Sequence, residues 1–268
     1  RCLILLVCLL LPWGASAQTR LYTFAEDAAP ETLRQADYAV NDQEVVISLT
    51  FGGDCTLGGE TAYASSSRSY ASRVAQNGMD WPFQQLQTLF AADDATIVNL
   101  EGVLSASREG KVKKKFNFLG DPSLAGVLTA GSVEGVTLAN NHTLDYGQRG
   151  YEDTKAALLD AAVAYVDETT LMIVEKDGQR VGFTASVFST GSGIRERLTR
   201  QVALLRDLGC GAVVHLMHAG TEYKARYSAR QKGIAQAAIQ AGADLVVGSH
   251  PHVVQGAEVY DGVPVVYS

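Results

Sequence analysis

The stretch Gly135–Gly147, GVTLANNHTLDYG, decides the fold class of this sequence. A short apolar run stops abruptly at Asn140, Asn141 and His142, which is typical of a buried strand whose carboxyl end opens onto a site. A second stretch, Asp244–His252 (DLVVGSHPH), has the same design near the other end of the chain. Runs of this kind, separated by helical patterns, predict an α/β domain with a mainly parallel sheet.

The strands and helices of this domain are predicted from apolar periodicity. Apolar runs bounded by turn residues predict strands at 45–51, 95–100, 135–139, 171–175, 181–187, 212–217, 244–248 and 263–268. Three longer patterns predict helices: one carries Tyr151, Leu158, Leu159 and Ala162 on one face, another carries Leu198, Val202 and Leu205, and the third runs from Ser228 to Gly242. A further helix is predicted to start at Pro82, and a strand is predicted around Phe116 and Phe118.

Composition excludes several protein classes. The chain has 268 residues, 47% of them hydrophobic, and 22 Lys+Arg against 29 Asp+Glu give a net charge of −7. This balance is that of a globular protein and excludes disordered, collagen-like and coiled-coil chains. An acidic chain is a poor match for the phosphate backbone of DNA or RNA, so no nucleic-acid partner is expected.

The first 17 residues are predicted to be a signal peptide. Arg1 precedes a 12-residue apolar run, and Ala15-Ser16-Ala17 supplies the small residues of a cleavage site. The alternative, a retained membrane anchor, needs an apolar run of about 20 residues. The sequence therefore predicts an exported protein, with residues 18–44 as a polar N-terminal lead-in and 45–268 as the folded domain. We expect Cys55 and Cys210 to form no disulfide, because they lie far apart in the predicted sheet.

Polar residues that could bind metal follow five of the predicted strands. They are Asp54, Glu101, Asn141 with His142, His218, and His250 with His252. Each has an ordinary structural alternative, such as a turn residue, a helix cap or a hydrogen-bonded histidine. Because the carboxyl ends of parallel strands share one edge of a sheet, their joint position predicts a ligand site there. His215 lies inside its strand and is predicted to be structural.

The types of ligand narrow the choice of metal. Carboxylate, amide and imidazole donors without a thiolate suit Mn, Fe or Zn. More donors come together than one tetrahedral ion accepts, which predicts two divalent ions that share a carboxylate. Such pairs, about 3.5–4 Å apart, activate water for attack on phosphate or a related centre.

These motifs resemble a known family. FGGDCTLGG, NLEGVLS, LANNHTLDYG, HAGTEY and GADLVVGSHPHVVQGAEVYDGVPVVYS, in this order, are similar to the bacterial capsule synthesis family of CapA and the poly-γ-glutamate protein PgsA. The resemblance covers about residues 45–268. It implies the four-layer α/β/β/α sandwich of the calcineurin-like metallophosphoesterases, incomplete at Ser268. It also implies a location outside the cytoplasm and an anionic polymer or phosphoester as substrate. Membrane proteins of capsule synthesis are the implied partners.

The resemblance assigns roles to individual residues. Glu101 corresponds to the bridging carboxylate; Asn141, His218 and His250 correspond to the ligands of one metal, and Asp54 and His252 to those of the other. His142 corresponds to the histidine that protonates a leaving group, with Asp145 orienting it. One departure is that Asp54-Cys55-Thr56 has no histidine where the phosphoesterases carry Asp-x-His, so the Asp54 metal is expected to bind more weakly.

Two further features concern the substrate. Glu222, in HAGTEY, is predicted to line the same pocket. Lys113, Lys114 and Lys115 form part of a basic run that is either a solvated loop or a clamp for a polyanion. Two functions therefore stay open: a metal-dependent hydrolase or transferase, and a non-catalytic factor that binds polymer during assembly or export.

Overall fold

The computed structural model describes residues 7–10, 19–34, 45–188 and 192–268. Its strands are β1 (Val7–Leu10), β2 (Arg20–Ala25), β3 (Leu49–Cys55), β4 (Ala95–Leu100), β5 (Val103–Leu104), β6 (Leu119–Gly120), β7 (Gly135–Thr137), β8 (Ala164–Val166), β9 (Thr170–Lys176), β10 (Gln179–Val187), β11 (Cys210–His218), β12 (Leu245–Ser249), β13 (Ala257–Tyr260) and β14 (Val263–Val266). Its helices are α1 (Glu31–Arg34), α2 (Tyr70–Asn77), α3 (Gln87–Phe90), α4 (Gly126–Ala130), α5 (Gly147–Asp160), α6 (Ser192–Asp207) and α7 (Ala229–Gln240).

The chain divides into two compact units. The central unit is Ser48–Tyr165, and the flanking unit comprises residues 1–47 and 166–268. The predicted mixed α/β class with parallel strands is confirmed, but each unit has a sheet of its own. The candidate ligands therefore lie on two sheets and not along one sheet edge. The reason is pairing: β3, β4 and β7 pair with one another, whereas β11 and β12 pair within the other sheet.

The central unit is built on a sheet in the order β3-β4-β7-β8, with β3, β4 and β7 parallel. Every residue of β4 is buried, which explains its continuous apolar sequence. Helix α5 packs beside the short β5 strand, and its Thr154 hydroxyl accepts a hydrogen bond from the Leu104 amide at 2.9 Å. The core below this edge includes Leu100, Leu128 and Leu158. These contacts fix the ends of β3, β4 and β7 relative to one another.

The flanking unit is built on an eight-stranded sheet in the order β1-β2-β9-β10-β11-β12-β14-β13. Its middle strands β10, β11, β12 and β14 are parallel, and the pairs toward both edges are antiparallel. Helix α7 begins as predicted at Ser228, whose side chain forms a capping box with Gln231. Helix α6 packs on α7 and on β11.

The lead-in at 18–44 contains a strand that the sequence analysis misses. In β2, Leu21, Tyr22 and Phe24 are buried, and the strand pairs with β9. Its buried run is only four residues long and includes Thr23, so it shows neither the alternation of a half-exposed strand nor an apolar run as long as that of β4. Strand β1, within the predicted signal peptide, pairs with β2. Most of residues 1–17 lie outside the described ranges, so the cleaved signal and export stay predictions.

Two other local predictions are wrong. No long helix starts at Pro82; a 3-10 turn at Trp81–Phe83 is followed by the four-residue α3. The residues between these two elements form turns, and the rings of Phe83 and Phe90 pack with centroids 5.8 Å apart. No strand covers Phe116, which is 47% exposed. Within the described ranges, no helix has the length and apolar character required to span a membrane.

Candidate functional site

Three strands of the central unit end at the same edge with polar residues. In the parallel register, Asp54 of β3 lies beside Asn99 of β4, and Asn99 lies beside Thr137 of β7. Glu101 directly follows β4, and the Asn140–His142 segment follows β7 by two residues. The predicted strand at 45–51 is shifted to Leu49–Cys55, which places Asp54 inside the paired strand.

Hydrogen bonds between amide side chains hold this edge together. Asn99 Nδ2 donates to Asp54 Oδ1 at 2.7 Å, and Asn140 Nδ2 donates to Asn99 Oδ1 at 3.0 Å. Asn140 Oδ1 in turn accepts the backbone N–H of His142 at 2.9 Å. The sequence analysis did not assign roles to Asn99 and Asn140. The signal for Asn99 was available, because a buried amide inside an apolar strand requires polar partners.

His142 and Asp145 form a buried pair. His142 Nδ1 lies 2.7 Å from Asp145 Oδ2, and the Asp145 side chain is fully buried. The same carboxylate oxygen accepts the backbone N–H of Phe118 at 2.7 Å. The Phe118 ring stacks on the imidazole with centroids 4.3 Å apart, and Glu101 Oε1 lies 3.6 Å from His142 Nε2. The imidazole is therefore held on its Nδ1 side and its face, with Nε2 directed toward Glu101.

Lys114 differs from its predicted role as a polymer clamp. Its ammonium group forms an ion pair with the buried Asp145 carboxylate and donates to the Asn141 carbonyl oxygen at 2.7 Å. A buried carboxylate requires such a counter-charge, since an unpaired one would be strongly destabilising. Lys115 lies over the Phe116 ring at 4.8 Å, and Lys113 is exposed. Of the three predicted clamp residues, Lys114 is thus the one that pairs with Asp145.

Cys55, next to Asp54, remains a thiol at neutral pH. Burial raises its pKa to about 12, and the neighbouring Asp54 carboxylate adds to the shift. Cys55 and Cys210 are both free cysteines. The other donors on this edge are carboxylates, amides and one imidazole, a set that suits a hard or borderline divalent ion.

The flanking unit gathers three histidines. His218 ends β11 and lies in register with Ser249, the last residue of β12. Ser249 Oγ lies 3.0 Å from His218 Nδ1. In metal sites, a ligand histidine is oriented by a hydrogen bond of this kind at the ring nitrogen that does not bind the metal. The ring of His250 lies 4.7 Å from that of His218 and 5.8 Å from that of His252, measured between centroids.

The backbone of this histidine cluster is strained. His250 has a φ of 100° and His252 has a φ of 55°, and Pro251 lies between them. Non-glycine residues at positive φ cost of order 1–3 kcal/mol and concentrate at functional sites. Tyr223, which the sequence analysis did not single out, lies 5.8 Å from His252 between ring centroids. Glu222 is exposed on the segment before it.

His215 is structural, as the sequence predicts. It is fully buried, and the hydroxyls of Thr184 and Ser186 lie 2.9 Å from its two ring nitrogens. Burial lowers its pKa from 6.5 to about 3, with a further contribution from Arg197, so this histidine is neutral.

His215 makes the protein less stable in acid. Below pH 6.5 the unfolded chain protonates this histidine, while the folded chain does not until about pH 3. The folded state therefore loses about 1.4 kcal/mol for each pH unit on descending through that window. We expect urea unfolding to show that His215→Gln lacks this component between pH 6 and pH 4. Parallel stability curves for wild type and variant would contradict the assignment.

The structure thus brings the predicted ligands together in two sets. Asp54, Glu101, Asn141, His142 and Asp145 lie at one edge of the central unit. His218, His250 and His252 lie together in the flanking unit. That both sets serve the same ions stays a prediction.

Comparisons with known proteins agree on one family. The model described as bacterial capsule synthesis protein PGA_cap matches residues 48–268. The capsule biosynthesis protein CapA of Bacillus anthracis is 28% identical over an alignment of length 248, and the match covers 83% of this chain and 58% of that protein. The PGA biosynthesis protein CapA of Bacillus subtilis (strain 168) is 27% identical over an alignment of length 245, and the match covers 83% of this chain and 62% of that protein. The chain spans about three fifths of the length of these relatives.

A solved structure shows the fold. A novel phosphatase from Mycoplasma pneumoniae superposes with a TM-score of 0.51 at 14% sequence identity, over 84% of this chain and 72% of that one. At such low identity the likeness concerns the fold alone.

Proposed function

Since the chain belongs to the bacterial capsule synthesis protein PGA_cap family, we propose that it is a metal-dependent hydrolase or transferase of capsule polymer synthesis. Its substrate is a γ-linked glutamyl chain or a phosphoester on the polymer pathway. We place it outside the cytoplasm, working beside the membrane proteins of capsule synthesis.

The buried pair of His142 and Asp145 is the observation that carries the proposal. A protein that only binds polymer has no use for an imidazole fixed at Nδ1 by a buried carboxylate. A general acid has this design, because the carboxylate holds the ring and stabilises its protonated form. Phe118 and Lys114 complete the arrangement by packing on the ring and by balancing the charge of Asp145.

The residues present fit the metal ions that the family implies. Asp54 and Glu101 supply carboxylates, and His218, His250 and His252 supply imidazoles, with Ser249 fixing the His218 ring. The backbone strain at His250 and His252 gives these two rings a defined direction that an unconstrained loop would lack. We assign Glu101 to both ions, Asn141, His218 and His250 to one, and Asp54 and His252 to the other. Such ions, when bound, polarise the substrate and lower the pKa of water.

The chain's own groups supply the proton transfer. With Asp145 accepting at Nδ1, the proton to be delivered sits on His142 Nε2 and passes to the oxygen or nitrogen of the leaving group. Phe118 packs on the face of the imidazole and holds its orientation, and the Lys114 ammonium pairs with Asp145 and holds it in position. The Asn99 and Asn140 amides hold Asp54 and the His142 backbone at fixed places on the edge.

The substrate class is tested by two assays run side by side. We expect protein loaded with Mn, Fe or Zn to release either p-nitrophenol from a generic phosphodiester or glutamate from a γ-glutamyl oligomer. Release in one assay only would identify the bond that is cleaved. Failure in both would favour the non-catalytic assembly factor.

The two metal positions are expected to differ in affinity. Thr56 stands where an imidazole ligand would complete the Asp54 position. Titration with Mn should show two unequal affinities, and Thr56→His should tighten the weaker one. Thr50→His, six residues earlier and within β3, is the matched control. Equal affinities in the wild type would contradict this assignment.

A further inference from the structure

The central unit contains a cavity of about 380 Å³. Part of its wall comes from segments that follow the candidate acid–base residues in sequence: residues 58–64 follow the Asp54 strand, residues 105–108 follow Glu101, and residues 119–121 follow Phe118. The cavity therefore shares three chain segments with that site.

The cavity walls are fixed by the backbone. The amides and carbonyls of Gly59 and Leu119 bond each other at 3.2 and 3.0 Å. A side chain at Gly120 would lie 2.1 Å from the Leu57 carbonyl oxygen, so only glycine allows the two segments to approach this closely. The cavity is thus formed in advance, which lowers the entropic cost of binding.

The cavity lining holds three charged side chains, of which two, one of each sign, have no protein partner within the described ranges. Within the described ranges, neither the Arg108 guanidinium nor the Glu60 carboxylate forms a hydrogen bond or an ion pair, although both residues line the cavity. The Asp121 carboxylate, by contrast, is occupied by the amide and hydroxyl of Ser123. The rest of the wall includes the apolar side chains of Leu119 and Leu124. A guanidinium, a carboxylate and an apolar wall together suit an amino-acid group, with its carboxylate, ammonium and short carbon chain.

We propose that this cavity binds the amino-terminal unit of a γ-linked glutamyl chain, with Arg108 on its α-carboxylate and Glu60 on its α-ammonium. The proposal rests on the function proposed above and specifies which end of its substrate the central unit would hold. A γ-linked chain leaves both α-groups of its first unit free, whereas an α-linked chain consumes the α-carboxylate in the first amide bond. The cavity lies at the small end of the range of ligand sites, about 300–1,000 Å³, and so suits a chain end and not a long stretch of polymer.

Calorimetry on the metal-loaded protein tests this proposal. The probes are a γ-glutamyl tripeptide, its N-acetylated form and the α-linked tripeptide. We expect the first to bind at least about tenfold more tightly than the other two, because each of those lacks one charged partner. Arg108→Gln should weaken binding of the γ-linked tripeptide by at least about tenfold and remove the preference over the α-linked one. Lys111→Gln, an exposed lysine outside the cavity lining, is the matched control for loss of positive charge.

A second, independent test fills the cavity with a large side chain. Ala106 lines the cavity and Ala62 does not, and both are exposed, so Trp is tolerated at either position without disturbing the core. Ala106→Trp should abolish binding of the γ-linked tripeptide, and Ala62→Trp should preserve it. Equal binding by wild type, Arg108→Gln and Ala106→Trp, or no binding by the wild type, would overturn the proposal even if the wild type hydrolyses its substrate. Binding that depends on Arg108 without any turnover would instead overturn the hydrolase and leave the cavity assignment standing.

Discussion

Replacing His142 with Ala lowers turnover by about 100- to 10,000-fold, the range that general acid catalysis contributes. The expected cause is loss of the proton that His142 Nε2 delivers to the leaving group. Metal content should change little, because the metal positions are assigned to other residues, and the protein should stay folded although loss of the buried imidazole lowers its melting temperature. Steady-state kinetics, metal analysis and thermal unfolding of the same preparation measure the three quantities together.

Asp145→Asn is the companion variant for His142. An amide at this position can still accept from the imidazole but does not stabilise its protonated form, so we expect a smaller loss of turnover than in His142→Ala. A His142→Ala variant with wild-type turnover would remove the acid–base role altogether. A variant that loses metal and turnover in parallel would instead make His142 a ligand.

Replacing His250 with Ala removes metal from the protein and lowers its melting temperature. His250 is buried among His218 and Phe188 at the end of β12, and we assign it to the same ion as His218. A ligand present at 100 times its Kd stabilises a folded protein by about 2.7 kcal/mol, and that contribution disappears with the ion. The loss should therefore be large in metal-supplemented buffer and small in chelator.

Val254→Ala is the matched control for the His250 variant. Val254 lies four residues farther along and is 87% exposed, so its truncation should leave both metal content and melting temperature unchanged. Unchanged metal content in His250→Ala would rule out this residue as a ligand. An equal fall in melting temperature with and without chelator would make its role purely structural.

The sequence predicted the positions of the candidate residues because strand ends leave a strong pattern. Apolar runs that stop at Asp54, Glu101 and His218 identify both the strands and their carboxyl ends, and the structure places each of these residues at such an end. The cap of α7 at Ser228 could also be predicted, because Ser228 and its partner Gln231 are only three positions apart in sequence. The interior position of His215 could also be predicted. Successive residues of a strand alternate between its two faces, and His215 lies three positions before His218.

Contacts between distant segments could not be predicted in the same way. Nothing in the lysine run distinguishes Lys114 from its neighbours, and its partner Asp145 is supplied by a separate loop. Strand β2 was missed because its buried run is short and is interrupted by Thr23. The division into two sheets was missed because apolar periodicity identifies a strand but not the strand with which it pairs.

The central claim is tested most directly by the turnover of one preparation in three states: loaded with metal, treated with chelator, and reloaded. The substrate is the phosphodiester or the γ-glutamyl oligomer, whichever the loaded protein cleaves faster. The account predicts turnover in the loaded protein, its loss on removal of the metal, and its recovery on reloading. A fully loaded, folded protein that cleaves neither substrate, or one whose turnover is the same with and without metal, would contradict the account.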